Sequence, residues 1–228
     1  MKENQMKLSE NTLTILKNFS AINTGMVFKE GSVVRTISKQ QNLLAKATVL
    51  EKFDTEFVIY DLNRFIALLG SLKDPEIVVN KDKNNIKIVS GTSSTVYGLA
   101  SENMIVAPPL KELKVENAEV NFRLTKDDMN QVLKLSGILG LPNIAVTGNG
   151  FEIFISALDV KNADSDDFSI KVGQTSANFR MIFVTENFKM IPGTYDVSIS
   201  SKGISHFKHS TDPLEYWIAT ETGSKYEG

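Results

Sequence analysis

Apolar Leu13, Ile15, Leu16, Phe19 and Ile22 recur every three or four residues, and Glu10, Thr14, Lys17, Asn18 and Ala21 fill the opposite side. That is the period of an amphipathic helix. Ser9 stands where an N-cap belongs and Gly25 where a helix ends, so the pattern predicts a helix over residues 9–22. The same stripe returns 116 positions later: Leu8 falls on Leu124, Ser9 on Thr125, Leu13 on Met129, Leu16 on Val132, Phe19 on Leu135 and Ile22 on Ile138. A second helix is predicted over residues 125–138, with Thr125 as its cap and Asp128 loosely completing a capping box. A stripe repeated at a fixed offset signals an internal duplication.

Elsewhere the runs are short and β-branched. "GMVFKE" and "SVVRTIS" read as strands around the turn Lys29-Glu30-Gly31, followed by "LLAKATVL" and "FVIY". "YDLNRFIALLGSLKDP" predicts another helix, capped by Asp61 and closed by Gly70 and Pro75, with Leu62, Phe65, Ile66, Leu68, Leu69 and Leu72 inward. "EIVV", "NNIKIVS" and "STVYGLA" are three more strands. The second half repeats this order. "NIAVTGNGFEIFIS" predicts a hairpin turning at Gly148-Asn149-Gly150 and answers "GMVFKEGSVVRTIS" at an offset of 118. "DDFSIKV" and "NFRMIFV" are strands. "TENFKMIPG" predicts a short helix on "LNRFIALLG" at an offset of 123, which sets Phe188 on Phe65. "TYDVSIS", "GISHFKH" and "LEYWIAT" finish the half. The reading is an α+β chain of two tandem similar domains, with mostly antiparallel sheets and helices on one face. Residues 1–107 form the first domain, residues 122–228 the second, and residues 108–121 an extended connector opened by Pro108-Pro109.

The length of 228 residues and an apolar share of 42 % support two cores. There is no cysteine, so there is no disulfide, thiol nucleophile or thiolate metal site. No apolar run approaches the ~20 residues of a membrane span, and "MKENQMKLSEN" lacks the apolar core of a secretory signal, so a cytoplasmic location without membrane partners is expected. The net charge is −2. Residues 1–112 carry 14 basic and 12 acidic residues, a balance of +2, and residues 113–228 carry 11 and 15, a balance of −4. Contact with nucleic acid must therefore come from a local surface and not from global charge.

Enzymatic and metal chemistry find little support. His206 and His209 in "HFKH" are three apart in a predicted strand and point to opposite faces, so they do not share an ion. The acidic run "DVKNADSDD" lacks the glycine and glutamate positions of a calcium loop. There is no phosphate-binding G-x-x-x-x-G-K-[ST] and no G-x-S-x-G elbow. No cofactor, metal or catalytic residue is expected. The apolar "MIVAPPL" on the connector either packs over the junction of the halves or marks an interaction site.

The outer helix faces are the remaining signal. They carry Lys17, Asn63, Arg64, Lys126, Asn130, Lys134, Asn187 and Lys189, with few acids. Taken singly these are ordinary solvated faces. If both halves set their helices on one side, they form a continuous Lys/Arg/Asn surface.

Five segments, "MKLSENTLTILKNFSAINTG", "FVIYDLNRFIALL", "NNIKI", "VAPP" and "NFKMIPGTY", resemble the sliding clamps of T-even-type bacteriophages, in the family's order and over almost the whole chain. Two departures stand out. Residues 1–5 precede the usual start at Met6 and read as an extension or an upstream start codon, and Leu133 replaces the counterpart of Lys17. The resemblance implies a closed homotrimeric ring with helices lining the hole and sheets outside. It implies duplex DNA as a sequence-independent partner, with Lys17, Arg64, Lys126, Lys134 and Lys189 facing the hole. It also implies a pocket for partner tails bordered by Ile105, Val106 and Pro108, with the viral DNA polymerase, an ATP-driven clamp loader and RNA polymerase-associated late transcription factors as partners, in the cytoplasm of the infected bacterial host. The alternatives are a duplicated structural or assembly protein with no nucleic-acid role, and an enzyme with an unrecognised site.

Overall fold

The structure, a computed structural model, describes residues 5–228; residues 1–4, most of the expected extension, lie outside the described residues. The chain divides into two compact units, one up to Leu110 and one from Lys111 onward.

In the first unit α1 (Glu10–Ile22) starts at Ser9, whose hydroxyl accepts the Thr12 amide at 3.2 Å. Its end is set by Asn23 rather than Gly25. Asn23 is extended, its amide still bonds the Phe19 carbonyl, and its side chain donates to the Ile37 carbonyl at 2.9 Å and accepts the Gly25 amide at 3.1 Å. Strands β1 (Met26–Phe28), β2 (Gly31–Ile37), β3 (Leu43–Phe53) and β4 (Phe57–Ile59) follow. β2 pairs antiparallel with β3, and β1 with β4. The hairpin implied for β1 and β2 is therefore not a ladder among the described residues; β1 is bonded to β4 instead. Helix α2 (Leu62–Gly70) is capped by Asp61, which accepts the Arg64 amide at 2.9 Å. β5 (Glu76–Asn80), β6 (Asn85–Ser90) and β7 (Ser93–Gly98) form an antiparallel three-stranded sheet. Met6 bridges to Ile77 through amide–carbonyl bonds of 3.0 and 2.8 Å. Leu16, Phe19, Phe28, Phe53, Phe57 and Phe65 fill the core. Phe28 stacks on Phe57 at 4.5 Å and meets Phe53 edge-on at 5.2 Å, the offset geometries that ring quadrupoles favour.

The second unit opens with β8 (Val120–Leu124) and α3 (Lys126–Leu139). Thr125 caps α3 by accepting the Asp128 amide at 3.2 Å, and Gly140 ends it at φ 66°, where a side chain would be strained. Strands β9 (Asn143–Asn149), β10 (Glu152–Leu158), β11 (Phe168–Gln174), β12 (Asn178–Val184), β13 (Tyr195–Ser200), β14 (Ile204–His209), β15 (Leu214–Ala219) and β16 (Lys225–Tyr226) complete it. One sheet runs β11-β10-β9-β12-β16, and β8, β13, β14 and β15 are bonded in that order. The β9–β10 turn falls at Gly150-Phe151, later than expected, because the Asn149 side chain accepts the amides of Phe151 at 3.0 Å and Glu152 at 2.8 Å. Gly148 stays inside β9. A Cβ there would lie 2.3 Å from the Phe179 ring, so this glycine serves packing and not the turn.

The duplication is visible in the ladders. β2–β3, β1–β4 and β5-β6-β7 match β10–β11, β9–β12 and β13-β14-β15. At offsets of 116 and 120 the Met6–Ile77 bridge becomes the Phe122–Val197 pair of β8 and β13. Two expectations need correction. Residues 185–193 are not an α-helix: only Thr185–Asn187 form a 3₁₀ turn. Phe188 and Met190 are both buried on either side of exposed Lys189, a period of two, and Pro192 disfavours helical backbone at Ile191, leaving too few residues to nucleate. Ile138, read as inward like Ile22, is 66 % exposed; the buried residues of α3 are Met129, Val132 and Ser136, so its buried face ends before the last turn.

Candidate nucleic-acid interface and peptide pocket

On α1 the buried residues are Thr12, Ile15, Leu16, Phe19, Ser20 and Ile22, which leaves Lys17 on the exposed side. On α2 the buried residues are Leu62, Phe65 and Leu69, which leaves Arg64 exposed with Asn63 and Ala67. The two helices are tied by a buried serine. Ser20 Oγ lies 2.7 Å from the Lys17 carbonyl and 2.7 Å from the Asn63 side-chain oxygen, so Lys17 and Arg64 sit on helices held in fixed relation. In the second unit Lys126, Asn130 and Lys134 are exposed at a spacing of four, one stripe along α3. Asp127 shares the first turn with Lys126, and the Thr125 hydroxyl donates to the neighbouring Asp128 at 2.6 Å. Leu133 is half-buried. Lys189 is exposed just beyond the 3₁₀ turn. That turn is fastened to α3 by another buried serine, Ser136, the counterpart of Ser20 at an offset of 116. Ser136 donates to the Leu141 carbonyl at 2.7 Å and lies 3.4 Å from the Thr185 hydroxyl. Within each unit, then, a buried serine ties the helix that carries predicted cations to a second segment that carries one. Lys17, Arg64, Lys126 and Lys134 make no ion pair among the described residues, so their charge is available to solvent or to a ligand.

Nothing in the local pattern singles out Ser20 and Ser136; only their matching offset marks them. It also missed Glu51 on β3, which receives the Ser9 amide and the Thr12 hydroxyl, the latter at 2.5 Å, and so holds the start of α1. Burial pushes the Glu51 carboxyl up, but the hydrogen bonds from Thr12 and Ser9 outweigh it and hold the group below the ordinary carboxylate range.

The connector of the first unit borders a cavity of about 440 Å³ whose lining is part apolar, from Val27, Val33, Ala107, Pro108 and Leu110, and part charged, from Lys29, Glu30, Arg35 and Glu102. Of the three residues expected there, only Pro108 lines it. Ile105 packs onto Gly25, where a Cβ would sit 2.2 Å from its terminal methyl. The Val106 carbonyl accepts the Asn23 side chain at 3.1 Å, which pins this stretch of connector beside the end of α1. Leu110 is 86 % exposed. Lys29 is held between Glu56 at 2.9 Å and Glu102 at 3.1 Å; the hydrogen bond to Glu56, then that to Glu102, keeps its ammonium above the ordinary lysine range. No group of acids, histidines or cysteines fit to hold a metal occurs among the described residues, and no helix is long and apolar enough to cross a membrane.

Residues 7–107 match the family described as DNA polymerase processivity factor, and residues 121–222 match the family described as gp45 sliding clamp, C terminal. The sliding clamp of Vibrio phage KVP40 is 33 % identical over 221 residues, covering 95 % of this chain and 99 % of that protein. The sliding clamps of Escherichia phage RB69 and Enterobacteria phage T4 are 31 % and 29 % identical, each covering 97 % of this chain and 100 % of the relative. Solved structures share the fold at low identity. Proliferating Cellular Nuclear Antigen from Entamoeba histolytica superposes with a TM-score of 0.67 at 13 % identity, covering 97 % of this chain and 100 % of its own. A. fulgidus PCNA, solved with the C-terminal region of FEN-1 bound, superposes with a TM-score of 0.69 at 13 % identity, covering 96 % and 98 %. The duplicated helix-and-sheet units and the near full-length match to phage proteins converge: the chain belongs to the sliding clamp family of T4-like phages, the processivity factors of DNA polymerases.

Proposed function

We propose that three copies of this chain close head to tail into a ring that encircles duplex DNA, with Lys17, Arg64, Lys126, Lys134 and Lys189 facing the phosphates. The observation that carries this reading is the repeat itself: each unit ties one exposed, cation-bearing helix to a second cation-bearing segment through the same buried serine. Six such units around an axis present one repeated lining. A clamp that slides must not grip base edges, which would fix its position; scattered cations touching phosphates are weak and interchangeable. Retention then comes from closure and not from affinity. Heterologous contacts either close or grow into filaments, and β7 and β11 supply the two edges. Each has a ladder partner on one side only among the described residues.

In this reading the protein acts without catalysis in the cytoplasm of the infected bacterial host, as a tether for the viral DNA polymerase. Residues 108–121 serve as the connector between a domain of residues 1–107 and one of residues 122–228. The cavity bordered by Ala107, Pro108 and Leu110 receives short apolar partner tails. A separate ATP-driven clamp loader opens the ring, and RNA polymerase-associated late transcription factors use the same mobile platform.

The test is processive run length on primed DNA against salt for the Lys17→Ala/Lys126→Ala/Lys134→Ala variant. Each phosphate contact contributes ~0.9 to the salt slope. The variant should fold as the parent does, stimulate the polymerase less, and show a flatter salt response without acquiring sequence preference. A run length and salt response equal to the parent's would return these helix faces to plain solvated surface.

A further inference from the structure

Asn149 precedes Gly150 in the chain's only Asn-Gly step and is exposed at the end of β9. Asparagine is among the thermolabile residues, and a following glycine puts no side chain beside the backbone nitrogen that can attack it. The structure adds what such an attack needs. Asn149 Oδ1 accepts the amides of Phe151 at 3.0 Å and Glu152 at 2.8 Å. Negative charge develops on that oxygen when a nitrogen adds to Cγ, and two fixed donors already point at it. The bond that opposes the attack runs from the Gly150 amide to the Ala177 carbonyl at 3.1 Å. It lies at the end of the β9–β12 ladder, where the flanking segment is the end of the chain: the Asn178 amide donates to the Gly228 carbonyl at 3.0 Å and its carbonyl accepts the Glu227 amide at 2.9 Å. Opening there frays a terminus and leaves the core intact.

The surroundings favour an acid at this position. The register sets Asn149 opposite Asn178, Thr147 opposite Arg180, and Arg180 opposite Lys225. Alternation along the strands places Asn149, Asn178, Arg180 and Lys225 on one face. Arg180 and Lys225 are exposed like charges directly across a ladder, an unfavourable pair, and neither makes an ion pair among the described residues. Glu227 is the acid that shares their cavity. Glu152, the nearest acid along the chain, is taken up by Lys171. A carboxylate at 149 stands diagonal to Arg180 and matches two cations with two acids. It also turns the bonds from the Phe151 and Glu152 amides into charge-assisted ones.

We propose that Asn149 is a self-modification site and that this fold favours its conversion to aspartate. The Gly150 nitrogen adds to Cγ, the Cγ–Nδ2 bond breaks, and the Gly150 amide proton leaves with ammonia. Water then adds at Cγ of the cyclic imide, the new Cγ–N bond breaks, and the nitrogen regains a proton. One water is consumed, one ammonium is released and one negative charge is gained, with no redox change. Opening at the main-chain carbonyl instead lengthens the backbone inside the β9–β12 ladder, so the fold selects aspartate over its β-linked isomer.

The experiment incubates the freshly purified full chain in mildly alkaline buffer and follows the masses of its peptides with time. The expected result is a gain of one mass unit at Asn149, well ahead of Asn117 and Asn162, which are also exposed but precede alanine. A gain present at the first time point counts as conversion completed. A second arm compares chemical unfolding of the mass-checked parent, Asn149→Asp, Arg180→Gln and the double variant. Asn149→Asp should lower the unfolding equilibrium constant about three-fold, and that gain should shrink in the Arg180→Gln background. Conversion at Asn149 no faster than at Asn117 and Asn162 overturns the self-modification. An Asn149→Asp chain no more stable than the parent overturns the favoured product, and an equal gain with and without Arg180 removes the cations from the argument. A product that is mainly the β-linked isomer overturns selection by the ladder.

Discussion

Glu51 shows how a single residue far along the chain decides where a helix begins. Two donors from the first turn of α1 converge on its carboxylate, so an anion sits where the helix dipole is positive and where backbone amides lack partners. Its folded pKa is lowered, so the stabilisation is complete above the ordinary carboxylate range and is lost as falling pH protonates the folded group. Glu51→Gln should cost about 1 kcal/mol at neutral pH, the usual size for a part-exposed charge-assisted cap. The difference from the parent should shrink as pH falls below the ordinary glutamate range and close once the folded carboxyl is protonated. Urea titrations of both proteins at pH 7 and in acid measure this. Nothing local in the sequence foretells such a contact, because 42 positions separate Ser9 from Glu51. The caps themselves were legible: Ser9, Asp61 and Thr125 all accept the amide three residues on, as their side chains and positions dictate.

At the scale of elements, legibility followed the strength of the period. The α1 stripe, the α3 stripe up to its last turn and the sheet strands are where the pattern puts them, because burial of one face enforces period and register together. Segment 185–193 misled because Phe188 aligns with Phe65. Alignment by offset carries over a position in the fold but not a conformation, and Pro192 with the two-residue spacing of Phe188 and Met190 overrides it. What replaces a helix there is a hydroxyl network. Ser136, Thr185 and the Leu141 carbonyl lie within 2.7 to 3.4 Å of one another, closed off from water on the Ser136 side. Ser136→Ala should therefore cost about 1 kcal/mol, seen as a lower midpoint in chemical unfolding. Ser20→Ala should cost less, since Asn63 is exposed and water can replace the lost partner. Equal losses at the two sites would mean that the network adds nothing over a single bond. The candidate cations were legible as outer-face positions. The cavity was legible through the stretch 104–110, of which Ala107, Pro108 and Leu110 line it; Val27, Val33 and Arg35 converge on it from segments that no periodicity connects.

For the whole molecule the central question is closure. On the proposed reading, three copies of a 25.2 kDa chain would make a ring of about 76 kDa. Sedimentation should find that species, in exchange with monomer on dilution. Val96 on β7 is 63 % exposed, a large apolar side chain on a strand with one free edge. Val96→Glu should shift the equilibrium toward monomer by an order of magnitude or more while leaving the circular dichroism of the chain unchanged. Trimerisation identical to the parent's would move the contact away from β7. The two units share a topology but are not equally fastened. The outer flank of β13 is held by the five paired residues of β8, whereas among the described residues the same flank of β5 is held by one bridge at Met6. Opening of that flank requires breaking two backbone bonds in one unit and a whole strand in the other, so the two halves should differ in how readily their amides trade hydrogen with solvent. The Ile77 amide should exchange well before that of Val197, its counterpart. A chain that duplicated one design would then carry, in its first half, a seam that breathes on its own while the second half stays shut.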